Sequence, residues 1–465
     1  MKPVFTEKSG EYGDQLVVEI KRLKGGVSYM ECTNHKPEET IEAHFNDAVQ
    51  WRRELHKHPQ PAWLEFFATG FIAEKLTKFG YEVKLGRDII DEQKQLLLPN
   101  EEKLQVEYES ALKDGIKEEF IAPAKGGFTG VVGILMGSQP GPTVGFRFDI
   151  DSNEVLEATF DSHRPAKDGF ASQNTGYSHM CGHDAHIAMG LLLALHFAEN
   201  RNKIKGIVKF IFQPNEENLS GASAMTEKGL VDDLDYLFGG HVGISGDDSG
   251  NIAIDVHSIL ALSRFEVTYT GRSTHSGISP HEGKNALLGA CAAITNLYSI
   301  ARHGEGSSRI NVGTLEAGST WNAIPDRAYF RMETRGFNNK INDYMVQKSM
   351  EVLQGAAKMY DLNLEIKAAA NAGSGRSSPE MIALGMKVAE KLTSVTRVIP
   401  DVAFNGSEDV TVMMERVQSH GGKALYVVFG SPIFGGHHSS TFDIDETVIR
   451  NGAEFLASMQ AEVTK

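Results

Sequence analysis

Four short apolar runs constrain the fold of this chain more than any other feature, because each breaks off into residues able to bind a metal or move a proton. They are Thr143 to Asp151 (TVGFRFDID), Gly206 to Pro214 (GIVKFIFQP), Tyr236 to Gly243 (YLFGGHVG) and Ala424 to Pro432 (ALYVVFGSP). Each has the length of a strand, and longer helix-like stretches alternate with such runs, the pattern of an α/β sheet domain. In open α/β sheets ligands bind outside the carboxyl ends of the strands, so one cleft can collect the polar residues that follow all four.

Between the third and fourth runs the texture changes, from about Ala261 to Ala370. An alternating strand, Ser263 to Thr270, leads into a helix-like Asn285 to Ala301 and further strands near Arg309 to Leu315 and Arg327 to Thr334. A compact α+β domain inserted into the parent domain explains why metal-type residues resume only afterwards. The expected organisation is an α/β catalytic domain made of 1–260 and 371–465, interrupted by 261–370. A chain of 465 residues is long enough for two such cores. Asp91 to Glu119, strongly charged with scattered Leu, Val and Tyr, reads as one or two added surface helices.

Composition serves mainly to exclude. With 46 basic against 61 acidic side chains the net charge is −15, which repels polyphosphate and argues against nucleic acid as a partner. Met1 to Gly26 has no continuous apolar core, so neither a secretory signal nor a membrane span is expected, and the location expected is cytoplasmic. Cys32, Cys181 and Cys291 are too widely spaced for a disulfide framework, in keeping with a reducing compartment.

The chemistry concentrates after the four runs. His179 to His186 (HMCGHDAH) gathers a thiol and three imidazoles, ordinary ligands for zinc and its neighbours, ahead of the apolar helix-like Ile187 to Ala198. Gln213 to Glu217 (QPNEE) ends in two adjacent carboxylates that can divide labour around one water, one as ligand and one as base. Asp149 and Asp151 share a face at period two, His241 closes the third run, and His437 and His438 follow the fourth. A buried, backbone-bonded histidine is the bland explanation for any one of these; their recurrence after separate strands is what favours a metal. No Gly-rich dinucleotide fingerprint follows a strand, which sets aside a nucleotide-dependent oxidoreductase.

Taken together these segments resemble the aminoacylase/carboxypeptidase class of co-catalytic metallopeptidases, in the branch containing auxin-conjugate hydrolases and bacterial N-acyl amino-acid amidohydrolases. The resemblance runs from about Trp51 to Glu446 through FRFDIDSNEV, HMCGHDAHIA, FQPNEENLSGA, GGHVG, STHSGISPHEGKNAL, WNAIPDRA, NGSEDV and GGHHSSTFDIDE; YEVKLGRDII, SHRPAKDGFAS and METRG draw it towards the aminobenzoyl-glutamate hydrolases. It implies a discontinuous zinc-peptidase-like catalytic domain with an inserted lid and dimerisation domain. It also implies two divalent metal ions per subunit, manganese or zinc, held by Cys181, His183, Glu217, His241 and His438. Cys181 would bridge them, and His437 stands as the alternative to His438. Glu216 takes the place of the general base, His275 that of an oxyanion donor, often reaching a dimer partner's site, and Asn322 and Arg335 those of donors to the substrate's carbonyl and carboxylate. For Arg335 a surface ion pair with Glu333 is nearly as good a reading. Asp151 and Asp184 are expected to orient ligands.

The substrate implied is an N-acyl or N-aroyl amino acid, p-aminobenzoyl-glutamate first, cut to p-aminobenzoate and glutamate. The assembly implied is a homodimer or a heteromer with a homologous B subunit. The alternative is a catalytically silent subunit that binds such conjugates; Glu216 and all five ligands being present favours the enzyme. Asn215, and Asn218-Leu219-Ser220-Gly221 after the glutamates, depart from the branch's usual small and Gly-rich residues, which bears on the shape of the pocket rather than on the reaction.

Overall fold

The computed structural model describes residues 37–244 and 248–465; Met1 to Gly26 and Cys32 lie outside them. Twelve strands carry the architecture: β1 (Glu82–Lys84), β2 (Val131–Met136), β3 (Gln139–Asp149), β4 (Lys205–Gln213), β5 (Tyr236–Val242), β6 (Asn251–His257), β7 (Ala261–Thr270), β8 (Ser308–Ala317), β9 (Arg327–Gly336), β10 (Asn363–Ala372), β11 (Arg397–Ala403) and β12 (Lys423–Phe429). Eight form a mixed sheet in the order β1-β2-β4-β3-β5-β12-β6-β11. β4, β3, β5 and β12, which contain the four apolar runs, are neighbours and mutually parallel, so Gln213, Asp149, Val242 and Phe429 end along one edge.

This sheet is buried on both faces, as near-continuous apolar strands require. Helices Phe45–Lys57, His183–Glu199 and Thr447–Val463 cover one face, packing Leu191, Ile449 and Phe455 against Phe146, Phe148 and Phe210. Gly221–Thr226 and Val410–Ser419 cover the other, with Met225, Met413 and Val417 over Ile211, Leu237 and Tyr426. The charged stretch Asp91 to Glu119 contains the helix Glu101–Lys113, started by Asn100, whose Oδ1 accepts from Lys103 N at 2.8 Å.

The other sheet is antiparallel, in the order β10-β7-β9-β8. Helices Ala286–Tyr298 and Asn339–Met359 cover one of its faces, where Val267, Tyr269 and Phe330 meet Ala290, Leu297, Met345 and Leu353. By strand alternation Arg264, Glu266, Arg331 and Glu333 point to the opposite face. The sequence patterns anticipate β7, β8, β9 and the shorter helix. They do not mark β10 or Asn339–Met359, whose polar outer faces dilute the apolar signal. No helix among the described residues is long and apolar enough to cross a membrane.

Helix His183–Glu199 approaches the sheet through Gly190, where an added Cβ would lie 2.7 Å from Phe148 and 2.8 Å from Phe212. Both rings are held in an aromatic stack with Phe210 and have little room to yield. Gly190→Ala is therefore expected to lose about 1–3 kcal/mol of stability, the usual cost of overpacking, read as a lower urea midpoint by circular dichroism.

Candidate metal centre

The turn into helix His183–Glu199 is made by Gly182 at φ 87°, a left-handed conformation that sets Cys181 and His183 on either side of the bend. Two other site turns use non-glycine residues at positive φ: Asn215, at 53°, just before the glutamate pair, and His438, at 59°. Asparagine tolerates this region well, which explains how Asn215 fills a position where the branch usually has a small residue. His438 is held by its backbone N–H, which donates to Met180 O at 2.7 Å. Such conformations persist where surrounding structure over-determines them, and they gather at functional sites.

The folded chain brings five of the sequence-derived positions together. Cys181, His183 and His241 form one set whose donor atoms all lie within 4.8 Å of one another; Cys181, Glu217 and His438 form a second, and Cys181 belongs to both. Its Sγ lies 3.4 Å from His241 Nε2, and His438 Nε2 lies 3.3 Å from Glu217 Oε1. Glu216 groups with His183 and Glu217. His437 also reaches this centre, with Nδ1 3.6 Å from Cys181 Sγ, on the side where its ring approaches His241.

The neighbours of each histidine decide what it can bind. His183 Nδ1 donates to the Asp151 backbone O at 3.0 Å with the Asp151 carboxylate 3.2 Å away, that carboxylate also accepts from Glu217 N at 3.0 Å, and His183 Nε2 is buried without a partner. An imidazole fixed by a backbone carbonyl at one nitrogen, with a carboxylate beside it and the other nitrogen free, is arranged as metal ligands are. His241 Nδ1 donates to Val242 O at 2.9 Å and turns Nε2 to the thiol. His186 is different: Nδ1 faces Asp149 at 3.2 Å and Nε2 accepts from Val242 N at 3.1 Å, so both nitrogens are used. Asp184 departs from expectation, because its carboxylate turns to Arg52 and His56, each at 2.7 Å, and anchors the helix Phe45–Lys57 instead of orienting a ligand.

The electrostatics are those of a cation site. Burial opposes charge on His183, yet Asp151, Asp149 and Glu217 raise its pKa to about 10. Burial would raise Glu217, but His438 and His183 hold it at about 2. Glu216 moves the other way, pushed well above the carboxylate range by burial and by Glu408 and Glu217. Burial, helped by His186 and His437, keeps the His241 imidazole neutral, the form that ligates. The thiol, imidazoles and carboxylate are an ordinary donor set for zinc and neighbouring divalent ions.

Three expected residues lie in the smaller domain. His275 and Asn322 meet on one corner, where Ser276 N donates to Asn322 O at 3.0 Å and His275 Nδ1 accepts from Gly277 N at 3.1 Å. Trp321 and Ile278, 98% and 79% exposed, flank them. Arg335 Nε lies 2.8 Å from Glu333 Oε1, the ion pair that the sequence offered as its other reading. Sequence reasoning assigned nothing to Arg147, Glu408 or Asp409. Their meeting was hidden by distance along the chain, the only signal being the unexplained acidic pair in NGSEDV.

A thiol, imidazole and carboxylate centre at the carboxyl ends of parallel strands, with an inserted α+β domain, is the arrangement of a co-catalytic metallopeptidase. Residues 145–462 match Peptidase family M20/M25/M40, and the chain belongs to that family. It is 41% identical over 408 residues to the A subunit of p-aminobenzoyl-glutamate hydrolase from Escherichia coli (strain K12), covering 88% of this chain and 93% of that protein. Indole-3-acetyl-aspartic acid hydrolase of Enterobacter agglomerans is 40% identical over 412 residues, covering 88% and 94%. The crystal structure of an aminobenzoyl-glutamate utilization protein from Klebsiella pneumoniae superposes with a TM-score of 0.78 at 34% identity, covering 92% of this chain and 98% of that one.

The shared place of Cys181 in both donor sets predicts that Cys181→Ala loses bound metal altogether, whereas His438→Ala loses one equivalent. Elemental analysis of gently purified protein checks this; full metal content in both variants would remove these residues from the ligand set.

Proposed function

We propose that the protein is a metal-dependent amidohydrolase of N-aroyl or N-acyl amino acids, with p-aminobenzoyl-glutamate as its first substrate. The observation that carries the reading is the position of Glu216, beside His183 and Glu217 where the two donor sets adjoin. Cys181, His183, Glu217, His241 and His438 would hold two divalent cations, manganese or zinc. Bound there, the cations would supply Lewis acidity and lower the pKa of a water. With the cations' charge beside it Glu216 would be held as the carboxylate, from which it takes that water's proton and returns it to the leaving nitrogen. Asp151 fixes His183 and the Glu217 backbone, so two ligands keep their places through the cycle.

Residues 261–370 serve in this reading as lid and dimerisation domain. His275 donates to the carbonyl oxygen as negative charge develops there, and Asn322 steadies the same group. Their exposed corner, with Trp321 and Ile278, suits a contribution to the site of a neighbouring subunit, either another copy or a homologous B subunit. Arg335 receives the substrate's α-carboxylate, a task matched to the guanidinium fork. The substrate choice is supported by the 41% identity to a hydrolase named for p-aminobenzoyl-glutamate.

Hydrolysis of p-aminobenzoyl-glutamate, beside acetyl, indole-acetyl and dipeptide conjugates and with or without a homologous partner subunit, tests the reading. Glu216→Gln is expected to keep its metal and its substrate affinity while turnover falls about a hundredfold or more. Preference for amides without a carboxylate, or near-normal turnover in that variant, would overturn it. His275→Ala should lose most of its turnover at unchanged metal content, and mixing it with Glu216→Gln should restore part of the activity if His275 acts across a dimer.

A further inference from the structure

The open face of the smaller sheet meets the catalytic domain beside Glu217, and between them lies a cavity of about 300 Å³. Its walls include Arg264, Phe265, Asn311 and Arg331 from the smaller domain, with Asn218 and Leu97 from the catalytic domain. Asn218 follows directly on the candidate ligand Glu217. Leu97 comes from the charged stretch Asp91 to Glu119. Two sequence features without a role so far, that stretch and the departure after the glutamate pair, therefore meet in one place.

Arg264 is fixed where the cavity approaches the metal centre. Its Nε lies 3.3 Å from Glu333 Oε2, and its Nη1 donates to Glu217 O at 3.5 Å. Its Nη2 bonds nothing among the described residues, leaving part of the fork for another acceptor. Glu333 holds Arg335 with its other oxygen, so one carboxylate spaces two guanidiniums. In the strand register Arg264 faces Glu333, and Arg335 lies opposite Leu262, which makes the two arginines diagonal neighbours roughly 7 Å apart at the backbone. Arg331 adds a third guanidinium, tied to Glu266 at 3.1 Å. Arg264 and Arg331 line the cavity with Glu266 and Glu333 between them, and Arg335 lies just beyond it on the far side of Glu333.

We propose that this cavity is the subsite for the side-chain carboxylate of a dicarboxylic amino acid, and that Arg264 is the residue that selects it. The inference rests on the functional reading above. In an amide of glutamate the side-chain carboxylate lies roughly 6 Å from the scissile carbon when extended, a span set by five bonds. Glu217 joins the two places, since its carboxylate belongs to the candidate donor set and its carbonyl meets Arg264 Nη1 at 3.5 Å. The α-carboxylate, closer to the cut, falls to Arg335. The pair of arginines thus reads the two carboxylates of one residue, and Glu333 keeps the forks apart and oriented. A neutral side chain of equal size would offer the free Nη2 of Arg264 no charged acceptor beyond Glu333, a mismatch by which polar sites discriminate.

The test compares p-aminobenzoyl-glutamate with p-aminobenzoyl-glutamine, which keeps the size and removes the charge, on the metal-loaded protein with its partner subunit where activity requires one. The wild type is expected to favour glutamate at least tenfold in kcat/KM, mainly through KM. Arg264→Met should bring that ratio close to one, and Arg264→Lys should restore part of it. A ratio unchanged in Arg264→Met, or equal losses on both conjugates, would overturn the subsite and leave Arg264 as a strut between the domains. No hydrolysis of any aroyl or acyl amino acid by the wild type would overturn the functional reading itself, and the subsite with it.

Discussion

Arg147 has no contact with water, and its Nη2 meets Asp149 at 2.5 Å, Asp409 at 2.9 Å and Glu408 at 3.0 Å. Its Nε donates to Gln213 Oε1 at 2.8 Å. Each partner then secures another piece of the site. Asp149 holds His186, which accepts from Val242 N at the end of β5. Asp409 accepts from Ala222 N beyond the glutamate turn, and Glu408 takes the hydroxyl of Tyr426 on β12 at 2.8 Å. One buried cation therefore ties together the strands whose ends carry the candidate ligands. Burial opposes its charge, but the surrounding carboxylates raise its pKa above even the usual arginine range. Removing one partner of such a network leaves uncompensated charge in a dry interior, at a cost of roughly 3–5 kcal/mol.

The three aspartates near the site show how burial and neighbours assign different work to one residue type. Asp149 is held low because Arg147 outweighs the effect of burial, and it serves as a permanent anion. Asp151 has no arginine partner; burial raises it, one carboxylate oxygen accepts from the Glu217 amide, and its backbone carbonyl accepts from His183. Asp184 sits one helical residue beyond His183, yet belongs to the Arg52 and His56 network that also includes Asp443.

The architecture of the site was largely legible in the chain because strand and ligand signals are local. Short apolar runs mark β3, β4, β5 and β12, and the residues that follow them need only the shared direction of the strands to converge. What was not legible depends on partners far apart in sequence. Arg147 and Asp409 are separated by 262 positions, and neither has a neighbour that betrays the other. Asp184 differs for a related reason: its place in HMCGHDAH suggests the metal, while its side chain pairs with Arg52 and His56 from far earlier in the chain. β10 escaped notice because its outer residues face solvent and blur the alternation.

β12 lies between β5 and β6 in the sheet, although it is the last of the long strands to be made. β5 and β6 follow one another in the chain and would pair in a simpler topology; here they must stay apart to admit a strand that arrives after the whole smaller domain. On a ribosome the amino-terminal portion would therefore wait with two open edges in its centre, a state prone to pairing with the wrong chain. The same late strand leads to His437 and His438, so the candidate donor set is assembled only once the sheet has closed. A chain that stalls or is cut before β12 lacks both the strand and the histidines that follow it, so an unfinished copy would hold only part of the candidate donor set.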